Sequence, residues 1–250
     1  MSMPRKKTAE ALAKTLNKSG DTVLRILKDE CIDANELICK AQQYFGDNKV
    51  DIIIDDTIIN KMYSKNIEGT GDIYDPVSKT TFRSLCSVVA MISDGRIALH
   101  VLHTLWIKQE LSSPGHYKTQ VEIAQELIDQ LKDKIKIKIV LMDGLYASSK
   151  MITWCNERSI NFEMRFHSNR KIALHKDKPN STVKMRECEK LQLRGKKSCR
   201  TVKAFWHDEL VSITCVKRLN KNNSTIITYQ ISNVAMLPRN HVNNYNKRWA

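Results

Sequence analysis

Apolar positions in this chain alternate between long buried-looking runs and helical stripes, and the densest run is Val50 to Ile59, VDIIIDDTII. Val50, Ile52, Ile53 and Ile54 are mostly β-branched, which predicts a short strand buried on both faces. Two adjacent carboxylates, Asp55 and Asp56, interrupt it, followed by Thr57. Charges at the end of such a strand are costly to desolvate without a partner, and a metal ion is a common one. An aspartate that caps a turn would read the same way locally, so the rest of the chain has to decide.

Residues 8–46 read as helical. Ala9 to Asn17 carries Leu12, Ala13 and Leu16 on one face. After a Ser19-Gly20 break, Asp21 can cap a second helix bearing Val23, Leu24 and Leu27. Two short helices about a glycine-containing turn suit either helix-turn-helix DNA binding, with Thr22 and Arg25 on the recognition helix, or a plain helical hairpin. A third helix is expected from Asp33, where Asp33 and Glu36 form a capping pattern, to Phe45, ended by Gly46-Asp47-Asn48.

Downstream of the Asp55-Asp56 strand, Lys61 to Lys79 reads as a polar loop. Phe82 to Ile92 and Ile97 to Trp106 then form two strand-like runs around Asp94-Gly95, a hairpin signal. Thr119 to Leu131 has helical spacing, and Ile139 to Met142 is a second buried strand that ends in Asp143-Gly144. A helix from Ser148 to Arg158 and a strand from Ile160 to Phe166 come next. Strand, two-stranded hairpin, helix, strand, helix, strand is the element order of an RNase H-like core. The expected fold is therefore α/β: a mixed five-stranded sheet flanked by helices, with a small N-terminal helical region. In such a sheet the first and fourth strands are neighbours, ~4.8 Å apart. Asp56 and Asp143 could then share one metal or help hold two. Oxygen ligands favour Mg2+ or Mn2+, and a two-ion site suits phosphodiester chemistry.

Composition changes the picture mainly through charge. The 250 residues are 42% hydrophobic and 27% charged, ordinary for a globular protein, but the net charge is +14. An excess of this kind favours a polyanionic partner, nucleic acid first. Residues 165–203 hold 13 Lys or Arg against 3 Asp or Glu, so most of the excess is local. Such a concentration predicts a phosphate-binding surface, with Arg165, Arg170, Lys171, Lys196, Lys197 and Arg200 as candidate contacts. Leu210 to Val216 and Thr225 to Ile231 look like an antiparallel hairpin. No apolar run approaches the ~18 residues needed to span a bilayer, and no apolar segment comes after the basic N-terminus, so a membrane partner is not expected and a cytoplasmic protein is. Seven cysteines are scattered without a CxxC pair, which argues for reduced core thiols and against a zinc ribbon or disulfide framework.

Several of these stretches resemble bacterial insertion-sequence transposases of the DDE type. IDDT at 54–57 is similar to the family's first-Asp strand and LMDGLYAS at 141–148 to its second. FEMRFHSNR at 162–170 is similar to the strand and basic turn that open the family's β-rich insertion. In YNKRWA, Tyr245 and Arg248 match the first two positions of the family's Y-x2-R-x3-E-x6-K helix. The resemblance implies catalytic, metal-binding Asp56 and Asp143, with Asp56 chosen because it directly precedes a threonine, and Asp55 as a supporting group or additional metal ligand. It implies that Tyr245 and Arg248 contact transposon-end phosphates. It also implies double-stranded DNA with terminal inverted repeats as partner, a homodimer on DNA as a candidate assembly, and a place at the bacterial nucleoid. The domains expected are 1–46 helical and DNA-binding, 47–166 the catalytic core, 167–235 a basic β-rich insertion, and 236–250 the start of the C-terminal core helix.

Counting on from Arg248, the family's glutamate would be residue 252, past Ala250. These 250 residues are accordingly expected to bind DNA without cutting it. The leading reading is a transposase that binds transposon ends and cuts and rejoins DNA through an Asp-Asp-Glu metal site; the competing ones are a catalytically inactive, truncated transposase that only binds DNA, and a basic structural protein whose acidic strand ends do no chemistry.

Overall fold

The computed structural model describes residues 13–14, 17, 19–22, 33–63, 66–75, 78–176, 182–193, 195, 197–219 and 223–249, the last without the Trp249 side chain. The chain divides into two compact units, residues 1–40 and 41–250. Most of the two expected N-terminal helices, with Arg25, lies outside the described residues. Within the described part, Gly20 to Thr22 is helical, and the Thr22 N–H donates to Ser19 Oγ at 3.1 Å. The capping residue is therefore Ser19, not Asp21, because its hydroxyl sits three residues before the first free amide it can reach.

Helix α1, Ala34–Phe45, begins where Asp33 accepts from the Asn35 amide at 3.0 Å and is followed by Gly46 at φ +58. That conformation costs glycine little, and it stops the helix. Glu36 does not reach back to the cap; it pairs with Lys40 at 2.5 Å.

Among the described residues, the second unit is built on one mixed sheet of 11 strands. β1 (Val50–Asn60) is the middle strand of its core part, with Val50, Ile52, Ile53 and Ile54 buried as their β-branched side chains dictate. β3 (Thr80–Ser93) runs antiparallel on one side of it and β5 (Ile137–Met142) parallel on the other. β4 (Ala98–Trp106) continues outward from β3, and β6 (Phe162–Phe166) from β5. The order β4-β3-β1-β5-β6 is the expected RNase H-like core. At the β3–β4 turn Asp94 accepts from the amides of Arg96 and Ile97 at 2.8 and 3.0 Å, with Gly95 at φ +90, as the Asp-Gly pair predicts.

Three features depart from the sequence expectation. The Lys61–Lys79 stretch is not all loop, because Gly71–Asp75 forms β2 on the outer end of β3. Its five residues alternate too briefly to stand out beside the glycines. The segment after Phe166 holds more strands than one hairpin: β7 (Lys171–Ala173), β8 (Thr182–Lys184), β9 (Cys199–Trp206), β10 (Glu209–Leu219) and β11 (Thr225–Ser232). Nor is it a separate sheet, since β11 pairs antiparallel with β6 and carries the core sheet on as β6-β11-β10-β9-β7-β8.

Helices cover both faces. α2 (Gln120–Lys132) starts at a capping box of Thr119 and Glu122 and lies against β3 and β4. α3 (Ser149–Glu157) is capped by Ser148. α4 (Pro238–Asn246) touches β6, β9 and β10. Strand alternation assigns the faces. Gln120 of α2 donates to the Cys86 thiol on the side of Asp56, whose neighbour across β3 is Val88. On the other side, Ile53, Ile139 and Leu141 form a buried cluster that also receives Met236, just ahead of α4. Four described cysteines are core residues, Cys86, Cys155, Cys188 and Cys215, whereas Cys199 is half-buried and Cys39 is exposed; all six are free. Burial pushes the Cys155 thiol up to about 12.

Candidate functional site

The β1–β5 register decides which carboxylates meet. Ile53 lies beside Leu141 and Ile54 beside Met142, so the next positions along are Asp55 and Asp143. Adjacent residues of a strand point to opposite faces. Asp55 therefore shares the α4 face with Ile53, while Asp56 shares the opposite face with Ile54. Asp143 sits just past β5, where the chain turns into the short 3-10 segment Gly144–Tyr146. A Cβ on Gly144 would stand 3.2 Å from His167 Nε2, so the missing side chain lets this turn lie close against the end of β6.

α4 and the turn after it, Lys247–Trp249, bring a cluster of donors onto this face. The Arg248 guanidinium lies between the two strand ends, 3.0 Å from Asp55 Oδ2 and 3.3 Å from Asp143 Oδ1, with its side chain 1% exposed. Tyr245 donates its hydroxyl to Asp143 Oδ1 at 3.3 Å and accepts from Arg248 at 2.8 Å. Two further contacts extend the pattern. Lys247 meets buried Asp51 at 2.9 Å, and His241 meets Glu163 at 3.2 Å with both side chains essentially buried. Asp51, Asp55, Asp143 and Glu163 are thus four acids on one face of the sheet, and each is answered by a cation or imidazole from the same C-terminal segment.

Electrostatics separate the aspartates. Burial, then the charges of Asp55 and Asp143, raises the Asp56 carboxyl above its ordinary range. Burial alone would raise Asp143 too, but the Gly144 amide, Arg248 and Arg165 outweigh it and hold it below that range. Tyr245 is pushed up to about 12, chiefly by burial, so it is a donor at neutral pH.

Among the described residues no three or more His, Cys, Asp or Glu side chains converge into a closed metal cluster. The donor type nevertheless fits a hard divalent cation. Asp55, Asp56 and Asp143 offer only oxygens, and the burial and the neighbouring negative charges that raise Asp56 are what such a cation offsets.

The remaining predicted residues fall into separate places. Arg165 is exposed and acts on Asp143. Arg170 and Lys171 line a cavity of about 750 Å3 with His167, His175, Lys176 and Trp206, and the Arg170 guanidinium sits 5.9 Å from the Trp206 ring centre. Lys197 is exposed and Arg200 donates to the Gln192 carbonyl at 3.3 Å; both lie at the end of β9 remote from Trp206 and so away from that cavity. Lys196 lies outside the described residues. Asp51, Glu163, His241 and Lys247 are not among the residues the sequence singles out. A signal existed for one set, since His241, Tyr245 and Arg248 follow the i, i+4, i+7 spacing of a single helix face.

Comparison with curated proteins finds no match. Residues 1–209 match the family model described as DDE superfamily endonuclease, and they span both acidic strand ends. The chain belongs to the DDE superfamily of endonucleases.

Proposed function

We propose that this chain is a transposase that binds the terminal inverted repeats of a mobile element and cuts and rejoins phosphodiester bonds at the ends of β1 and β5. The observation that carries this reading is the convergence of Asp55 and Asp143 on one guanidinium, with Asp56 one residue away. Endonuclease domains of this superfamily use divalent metal ions. Asp55, Asp56 and Asp143 would hold Mg2+ or Mn2+ here. When bound, such an ion activates an attacking water or 3′-hydroxyl and steadies the leaving oxygen.

The chain's own residues do the rest. Asp143 is kept ionised by Gly144, Arg248 and Arg165 and is ready as a ligand. Tyr245 and Arg248 stand beside it, buried, so a phosphate approaching Asp143 would be drawn by the charge of the guanidinium without touching it. Arg165, Arg170, Lys171, Lys197 and Arg200 would track the DNA backbone, with Lys196 and Arg25 as further contacts. A pair of chains on paired ends would be the working assembly.

A second reading, DNA binding without cleavage, is favoured by one observation: the Arg248 guanidinium already occupies the space between Asp55 and Asp143 as their cation. Both readings are tested by incubating the protein with labelled inverted-repeat ends in Mg2+ or Mn2+. The endonuclease reading expects nicks at the repeat boundary that vanish without metal. Retention of the repeat over random duplex with no nick supports the second reading. Loss of both would overturn the proposal.

A further inference from the structure

α4 is an unusually polar element for its position. Its sequence is PRNHVNNYN, yet His241 and Tyr245 are buried, as is Arg248 in the following turn. The sheet face beneath it is polar as well. On β6 the inward position is Glu163, fully buried, and Ser232 lies opposite it on β11. Gln230, two positions along on the same face, is 2% exposed, and Thr214 beside it on β10 is fully buried. Among the described residues, both oxygens of Glu163, both ring nitrogens of His241 and both amide atoms of Gln230 have no hydrogen-bond partner, which leaves Glu163 and His241 to each other across the 3.2 Å ion-pair contact.

A seam of this kind is a poor way to gain stability. Apolar side chains of similar size hold a helix to a sheet as well or better than a buried ion pair does. What a polar contact adds is direction, because it is satisfied over a narrow range of helix rotation and translation whereas apolar contacts slide. His241 precedes Tyr245 by one turn and Arg248 by about two, so fixing His241 on Glu163 fixes the phase at which both reach Asp143.

We propose that Glu163 and His241 are positioning residues for the site. Their contact sets the rotation of the C-terminal helix, and through it the placement of the Arg248 guanidinium between Asp55 and Asp143. The inference rests on reading that region as the active site, but its test needs neither DNA nor metal. Phenylglyoxal labelling of arginines, mapped by peptide mass spectrometry, reads the burial of Arg248 directly, with exposed Arg165 and Arg170 as internal references. In the wild-type chain Arg248 should react at least tenfold more slowly than they do. In Glu163→Leu/His241→Leu the helix stays docked through apolar contact and the thermal midpoint does not fall, but Arg248 labelling rises at least tenfold. Glu163→Gln, which keeps a polar partner for His241, should restore protection to within twofold of wild type.

A folded double variant whose Arg248 remains protected would overturn the proposal, as would Glu163→Gln labelling like the double variant. Should the double-leucine chain fail to fold, Glu163→Met carries the same reading, and wild-type protection there overturns it equally. An absence of DNA cleavage in the wild type bears on the proposed function and leaves the labelling result untouched.

Discussion

Asp55 and Asp143, 88 positions apart in the chain and on neighbouring parallel strands, are held together by one side chain, the guanidinium of Arg248. The pairing comes from the register that sets Ile54 beside Met142 and from a helix that arrives from the far end of the second unit. It gives the strand ends a positive charge placed where a divalent cation would compete for the same oxygens.

That competition is measurable. Arg248→Met removes the charge and keeps most of the volume. We expect Mn2+ to bind the variant about tenfold more tightly than wild type, since like charges a few ångströms apart cost roughly 1 kcal/mol or more at a partly exposed site. Isothermal titration at fixed ionic strength checks this. Unchanged or weaker binding would place the cation away from Asp55 and Asp143.

Glu163 predicts a pH dependence of stability. Burial raises its carboxyl to about 7, against an ordinary value of 4.5. A carboxyl raised in the folded state stabilises the fold fully below its unfolded pKa, and that contribution is lost as pH rises through the folded value. Its part of the unfolding free energy should therefore decline from about pH 4.5 to about pH 7. Glu163→Gln should remove this slope and be the more stable protein at pH 8. Urea unfolding of both chains between pH 4.5 and 8 is the check, and an unchanged slope in the variant would show that other groups carry it.

The basic surface predicts salt-sensitive DNA binding. Each phosphate contact contributes roughly −0.9 to the slope of log K against log salt. Replacing Arg170 and Lys171 by glutamine should make the slope shallower by about 2 if both touch phosphate, and replacing Lys197 and Arg200 tests the remote end of β9 in the same way. A slope unchanged by one pair would assign that pair to solvent.

The frame of this fold was legible in the sequence because β1 and β5 are β-branched runs that stop at acids, and because α2, α3 and the β3–β4 hairpin carry caps and an Asp-Gly turn. β2 and β7 to β9 were not, since three- to eight-residue strands among lysines, serines and glycines give little alternation to read. Asp55 and Asp56 were readable as a pair facing opposite ways. Which of them meets Asp143 depends on the β1–β5 register, a tertiary fact. Glu163, within FEMRF, looks like the solvent side of an alternating strand; it is buried because α4 covers that face and supplies His241.

The most direct test of a metal site at the two strand ends is to ask where a divalent ion sits. Fe2+ bound in place of Mg2+, with ascorbate and peroxide, cleaves the backbone beside its ligands. A site built on these aspartates predicts cuts next to Asp55-Asp56 and next to Asp143-Gly144, suppressed by excess Mg2+ and by Asp143→Asn. Cuts confined to other parts of the chain, or cuts at these strand ends that persist undiminished in Asp143→Asn, would contradict it.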